Sequence, residues 1–157
     1  MERYKPNVTV ACVIACEDKY LMVEELIDGK LTYNQPAGHL EAHESLTQAC
    51  AREVLEETGL AIKPQSLIKI YQFQANEDLA FLRFTYACTL DELLTPAPQD
   101  NAICRALWMT LDEIEQRKLQ LRSPLVLQCI HDYRQGKLFS TDVVNSQFLL
   151  LAQSHNA

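Results

Sequence analysis

The chain has 157 residues, 48% of them hydrophobic and 22% charged, the size and make-up of one globular domain with its own core. Fourteen basic residues stand against 21 acidic ones, a net charge of −7, which excludes a general binder of polymeric nucleic acid. No apolar run is long enough to span a membrane, and the N-terminal MERYKPNVTV lacks the apolar core of a signal peptide, so the chain is expected to be cytoplasmic with no membrane partner.

Val8 to Cys16 is rich in β-branched and small apolar residues and predicts a buried strand. Glu17-Asp18-Lys19 is a turn, and Tyr20 to Leu26 pairs back as a hairpin. Asp28-Gly29 marks a second turn. Asn34 to Gly38 reads as a loop, because Pro36 lacks a donor and Gly38 permits unusual dihedrals. Ser45 to Thr58 predicts a helix, with good helix formers, no internal Gly or Pro, and Gly59 placed just after it. Strands are expected at Ile68–Gln74 and Ala80–Leu90, around the polar tip Asn76-Glu77-Asp78. A Pro-containing loop, Asp91 to Asn101, leads to a strand at Ile103–Met109 and a short helix at Leu111–Arg117. Ser123-Pro124 opens a last helix, with Ser as N-cap and Pro at the first position, running to about Gln135 before Gly136. The tail from Lys137 is ambiguous; its apolar Phe148–Leu151 either docks or moves. The sum is α+β: one domain over 1–157, with a mixed sheet and no regular βαβ alternation. The six cysteines are scattered with no CxxC and are expected to be buried free thiols.

Glu53, Glu56 and Glu57 stand out. At i, i+3 and i+4 on a helix they share one face. They lie in its last turns, where the macrodipole disfavours negative charge, and no Lys or Arg follows them in that helix. Solvated acidic faces are common, but carboxylates gathered against local preference point to a divalent cation. All-oxygen ligation favours Mg²⁺ or Mn²⁺. Pro36-Ala37-Gly38 is placed to add a backbone carbonyl, since Gly38 has no side chain in the way.

In this stretch the chain resembles the Nudix hydrolases. Their box is Gly, five residues, Glu, seven residues, then Arg-Glu-apolar-x-Glu-Glu-x-Gly-apolar, and Gly38, Glu44, Arg52, Glu53, Val54, Glu56, Glu57, Gly59 and Leu60 meet it at every position. With seven single-residue identities, at roughly one in fifteen each, a chance match is on the order of one in 10⁸. Asn34–Glu41, Phe81–Phe84 and Leu121–Val126 are similar to segments of one bacterial branch of the family, which also carries Ala where many members have a second Gly. The resemblance implies an α/β/α sandwich with a central mixed sheet and a catalytic helix at about 45–58. It implies Mg²⁺-dependent hydrolysis of organic diphosphates or nucleotides, as monomer or homodimer. For that branch it implies release of orthophosphate from nucleoside di- and triphosphates and from the hydroxymethylpyrimidine diphosphate of thiamin synthesis.

Carried over onto these positions, Glu53, Glu56 and Glu57 with the Ala37 carbonyl are metal ligands. Glu53 also handles the attacking water, Arg52 orients Glu53, and Gly38, Glu44 and Gly59 are structural. Glu77, Asp78 and Asp100 are loop alternatives for the base, against the usual solvated role of loop acids. Arg83 faces either a phosphate or, on an alternating strand, the solvent. Arg122 either joins an anion site at the following helix start or serves only as hinge or cap. Tyr33, Phe73, Phe81 and Trp108 are stacking candidates, though strand aromatics are more often core. His39 and His43 are expected to be loop residues. Two competing functions are a nucleotide-sugar or dinucleotide pyrophosphatase, and a ligand-sensing module without catalysis, which would be expected to lose box glutamates.

Overall fold

The computed structural model describes residues 1–149. Seven strands form one mixed sheet: β1 (Asn7–Cys16), β2 (Lys19–Ile27), β3 (Lys30–Asn34), β4 (Ala37–His39), β5 (Ser66–Asn76), β6 (Leu79–Thr89) and β7 (Ile103–Thr110). Three α-helices that lie wholly within the described residues accompany it: α1 (Leu46–Thr58), α2 (Leu111–Gln116) and α3 (Leu125–Arg134). The main strand order is β3-β2-β1-β6-β5, with β7 on β2 and β4 on β1. The β1–β6 pair is parallel, Asn7 facing Phe81 through Ala15 facing Thr89, and the other pairs are antiparallel.

β1 reads as an unbroken apolar run because both its faces are covered. Val10, Cys12 and Ile14 pack with Leu21 and Tyr86 against Ala49, Cys50 and Val54 of α1. Val13 and Ala15 pack with Tyr20, Met22 and Ile68 against Ile114 of α2 and Val126, Cys129 and Ile130 of α3. This is the α/β/α sandwich. Asp28 and Gly29 both take positive φ, 51° and 77°, as the two-residue β2–β3 turn requires.

The helix α1 is closed at both ends. Ser45 accepts from the Gln48 N–H while the Gln48 side chain accepts from the Ser45 N–H, a reciprocal cap. At the other end Gly59 takes φ 75° and donates to the Leu55 carbonyl at 2.8 Å. A Cβ there would also stand 2.2 Å from the Ala97 carbonyl oxygen, so conformation and space both demand glycine. The 91–101 loop supplies the remaining donors: Ala97 N–H to Thr58, and Gln99 and Asp100 N–H to Glu56, at 2.8–2.9 Å.

Several details differ from the sequence expectation. Ala37–His39 is a short strand and not loop, because it pairs with Thr9–Ala11 of β1, a partner distant in sequence. The helix α3 begins one residue later than expected, so that Pro124 and not Ser123 stands at the N-cap; the Ser123 hydroxyl accepts from the Leu125 N–H at 3.2 Å. Cys104 is exposed while the other five thiols are buried, and all six are free. The tail docks at Phe139, which exchanges two 2.8 Å backbone bonds with Leu67. Phe148 and Leu149 are exposed, and the rest of the apolar Phe148–Leu151 segment lies outside the described residues. No helix among the described residues is long and apolar enough to cross a membrane.

A polar contact adds to the apolar packing that holds α3 on the sheet. Asp132, 6% exposed, accepts from the Tyr71 hydroxyl of β5 and from the Gln128 amide, and Lys69 stands 3.5 Å away. Burial pushes its carboxyl up, but the Tyr71, Gln128 and Lys69 interactions together hold it below the usual carboxylate range. A carboxyl whose folded pKa lies below its unfolded value contributes stability fully above the unfolded pKa. That contribution is lost as pH falls through the folded one. Asp132→Asn is therefore expected to cost about 1–2 kcal/mol in urea unfolding at pH 7. The gap between the two proteins should close as the solution is taken below the normal Asp range.

Candidate active site

The site forms where the C-terminal half of α1 meets β4 and the loop before β7. Arg52 organises its polar face. Nε and Nη2 fork onto the Glu44 carboxylate at 3.0 and 2.8 Å. Nη1 donates to Glu53 Oε1 at 2.9 Å and to Glu56 Oε2 at 3.5 Å, and Nη2 also reaches the His39 carbonyl at 3.0 Å. Glu41 adds an ion pair at 3.6 Å. The glutamates are thus offset by a base after all: Arg52 precedes them in sequence, but its side chain reaches forward along the helix. Glu44, just before the N-cap, is the anchor of that guanidinium and also accepts from the Glu41 N–H. Its bonds to Arg52 outweigh burial and hold its carboxyl below the usual range.

Glu57 is the most enclosed of the three, 8% exposed, and takes the Ala37 N–H at 2.8 Å. It has no basic partner among the described residues. Burial pushes its carboxyl up to about 8; the Ala37 N–H opposes this, and the charges of Glu53, Glu25 and Asp100 add to it. Burial likewise raises Glu53, with Arg52 opposing. Ala37 stands opposite Ala11, while the neighbouring Pro36 carbonyl and Leu40 N–H bond to β1. Strand alternation therefore turns the Ala37 N–H and carbonyl together away from β1, toward α1. Gly38 makes the approach possible: a Cβ there would lie 2.0–2.4 Å from the Glu53 carboxyl atoms.

A divalent cation fits this donor set. The donors are all carboxylate or carbonyl oxygen, one carboxylate is buried without a cation, and glycine leaves room for another. Among the described residues no three His, Cys, Asp or Glu groups converge into a ready ligand cluster.

Beside the carboxylates opens a cavity of about 550 Å³ lined by Glu57, Ala37, Gly38, Arg83 and Arg122, among others. Arg83 is 6% exposed, so of its two expected settings the solvent-facing one is not realised. Arg122 is exposed at the mouth, its N–H bonded to the Tyr33 carbonyl at 2.9 Å. Of the aromatic candidates, Phe73 and Phe81 line the cavity, stacked with centroids 6.4 Å apart. Tyr33 is core and donates to Glu24 at 2.7 Å, and Trp108 donates to the Leu94 carbonyl at 2.9 Å. His39 lies on β4 and lines the cavity, while His43 is in the loop before α1 with φ 67°. Glu77 and Asp78 sit at the exposed β5–β6 tip, whereas Asp100 is close enough to raise Glu57.

Two cavity residues escaped the sequence. Glu25, half-buried on β2, is raised by burial with Arg122 opposing. Asn34 presents a buried side-chain oxygen with no hydrogen-bond partner among the described residues. No sequence signal marked the first: Glu24-Glu25 lies inside β2, and strand alternation singles out Glu24, the buried member of the pair.

A sandwich whose central helix carries this box defines a phosphohydrolase of the Nudix class. Residues 4–128 match the family profile described as the NUDIX domain, and the chain belongs to that family. It is 45% identical over 141 residues to the phosphatase NudJ of Escherichia coli strain K12, covering 90% of this chain and 92% of the relative. A NUDIX hydrolase from Nitrosomonas europaea superposes with a TM-score of 0.83 at 46% identity, covering 90% of this chain and 97% of the other. The NUDIX domain of Shewanella oneidensis NrtR, solved with ADP ribose, shares the fold, with a TM-score of 0.73 at 18% identity over 85% of this chain and 89% of that one.

Gly38→Ala separates stability from chemistry. The three atoms nearest a new Cβ all belong to the movable end of Glu53, so urea stability should fall by no more than about 1–2 kcal/mol. The displaced carboxylate should lower phosphohydrolase turnover by about 10²-fold, read as kcat.

Proposed function

We propose that the chain hydrolyses the phosphoanhydride of nucleoside di- and triphosphates and related organic diphosphates with Mg²⁺, releasing orthophosphate. The hydroxymethylpyrimidine diphosphate of thiamin synthesis belongs to that substrate class. The observation that carries this reading is the juxtaposition of the α1 carboxylates and Ala37 with a cavity that also holds a buried arginine. The name phosphatase, borne by a relative 45% identical, favours orthophosphate as the product.

In this reading Glu53, Glu56, Glu57 and the Ala37 carbonyl would hold the cation, Mg²⁺ or alternatively Mn²⁺. When bound it neutralises phosphoryl charge and lowers the pKa of the attacking water. Glu53 positions that water and takes its proton, and the 2.9 Å bond from Arg52 fixes the carboxylate's orientation. Arg83 and Arg122 take the phosphate oxygens. The Phe73–Phe81 pair offers an apolar wall to a base, and Glu25 and Asn34 offer acceptors to its N–H or O–H groups.

Glu56→Gln and Glu57→Gln should each lower kcat for ADP by about 10²–10³-fold with the fold intact by circular dichroism. Removing divalent ions with EDTA should abolish turnover, and Mg²⁺ should restore it. A substrate panel scored separately for orthophosphate and pyrophosphate tests the product. Pyrophosphate alone, or cleavage only of nucleotide sugars and dinucleotides, would defeat the specificity proposed; tight binding without turnover would favour a sensor.

A further inference from the structure

Arg83 is an unusual cation. Its side chain is buried, yet among the described residues no carboxylate forms an ion pair with it. Among the described residues its side chain makes one hydrogen bond, from Nη2 to the side-chain oxygen of Gln35 at 3.0 Å. Gln35 is 1% exposed, and its amide nitrogen donates to the Val126 carbonyl in the first turn of α3 at 2.7 Å. Burial lowers the Arg83 pKa, but a guanidinium stays protonated in proteins. A buried charge is normally paired, because leaving it alone costs several kcal/mol in order of magnitude. Here the neighbour is a neutral amide with both hydrogen-bonding polarities. Its oxygen holds the guanidinium, its nitrogen grips α3, and the positive charge is left for whatever enters the cavity that Arg83 lines.

We infer that Gln35 is a positioning residue for substrate binding: it fixes Arg83 toward the cavity without neutralising it, and ties that anion seat to the start of α3. The inference rests on the proposed phosphate-binding role of Arg83 and adds a residue outside the box. Only a neutral amide fits both bonds. Glutamate could hold Arg83 but would compensate its charge and lose the donor to Val126. Methionine, of similar length, can make neither bond.

The test compares wild type, Arg83→Gln, Gln35→Glu and Gln35→Met. Steady-state hydrolysis of ADP with Mg²⁺ is followed alongside calorimetric binding of α,β-methylene-ADP at two salt concentrations. Thermal melting checks each fold. Gln35→Glu is expected to raise KM for ADP and Kd for the analogue by at least about tenfold, with kcat within about threefold, and to flatten the salt dependence of binding as Arg83→Gln does. Gln35→Met should raise KM while keeping a steeper salt dependence than Gln35→Glu, because the charge remains but is no longer aimed. If Arg83→Gln weakens binding and both folded Gln35 variants bind within threefold of wild type, Gln35 has no positioning role. If Arg83→Gln itself binds normally, the phosphate seat lies elsewhere and the inference fails with it. Loss of Tm with KM unchanged would mark Gln35 as structural only. Absence of wild-type turnover on any diphosphate would instead overturn the proposed function.

Discussion

The structure depends on concentrating negative charge at the end of a helix that is already negative. Glu53, Glu56 and Glu57 occupy the last turns of α1, where the peptide dipoles and the carboxylates repel one another. Three compensations surround them. Arg52 threads between Glu44, Glu53 and Glu56; the Ala37 N–H caps Glu57; and the loop before β7 aims the N–H groups of Ala97, Gln99 and Asp100 at the carbonyls of Thr58 and Glu56. None of the three brings a cation to Glu57, whose carboxyl burial leaves reluctant to ionise. A divalent cation is the remaining partner suited to that oxygen set.

The glycines of the box follow from the same constraint. Gly38 lets β4 lie against Glu53, and Gly59 turns the chain so that the Ala97 carbonyl can pass where a side chain would stand. Glu44 acts through Arg52 and is a brace for the carboxylate face. The sheet then supplies the substrate side. The parallel β1–β6 pair sets Thr9 opposite Arg83, so the buried guanidinium sits on the same sheet as β4 and opens on the same cavity as Glu57.

What could be read from the sequence was local. The helix α1 announces itself through its helix formers, the absence of internal Gly and Pro, and Gly59, and the carboxylate face through helical spacing alone. The Asp28-Gly29 turn and the run of β1 carry their own chemistry. What could not be read depends on partners distant in the chain. Pro36-Ala37-Gly38 looks like a loop until β1 is beside it. The 91–101 loop shows no sign that its amides cap α1. The setting of Arg83 was undecidable because β6 is covered on both faces, so alternation carried no information. The reach of Arg52 is a matter of rotamer, and sequence order suggested the opposite. Glu25 and Asn34 gain meaning only when the cavity they line is seen.

The central claim is that the carboxylate face of α1 is a divalent-metal centre. Electron paramagnetic resonance of Mn²⁺ titrated into the protein without substrate tests it most directly. Wild type is predicted to remove Mn²⁺ from the free-ion signal at stoichiometric ratios, and Glu56→Gln and Glu57→Gln to bind it at least about tenfold more weakly. Equal Mn²⁺ uptake by wild type and by a folded variant lacking Glu53, Glu56 and Glu57 would contradict it.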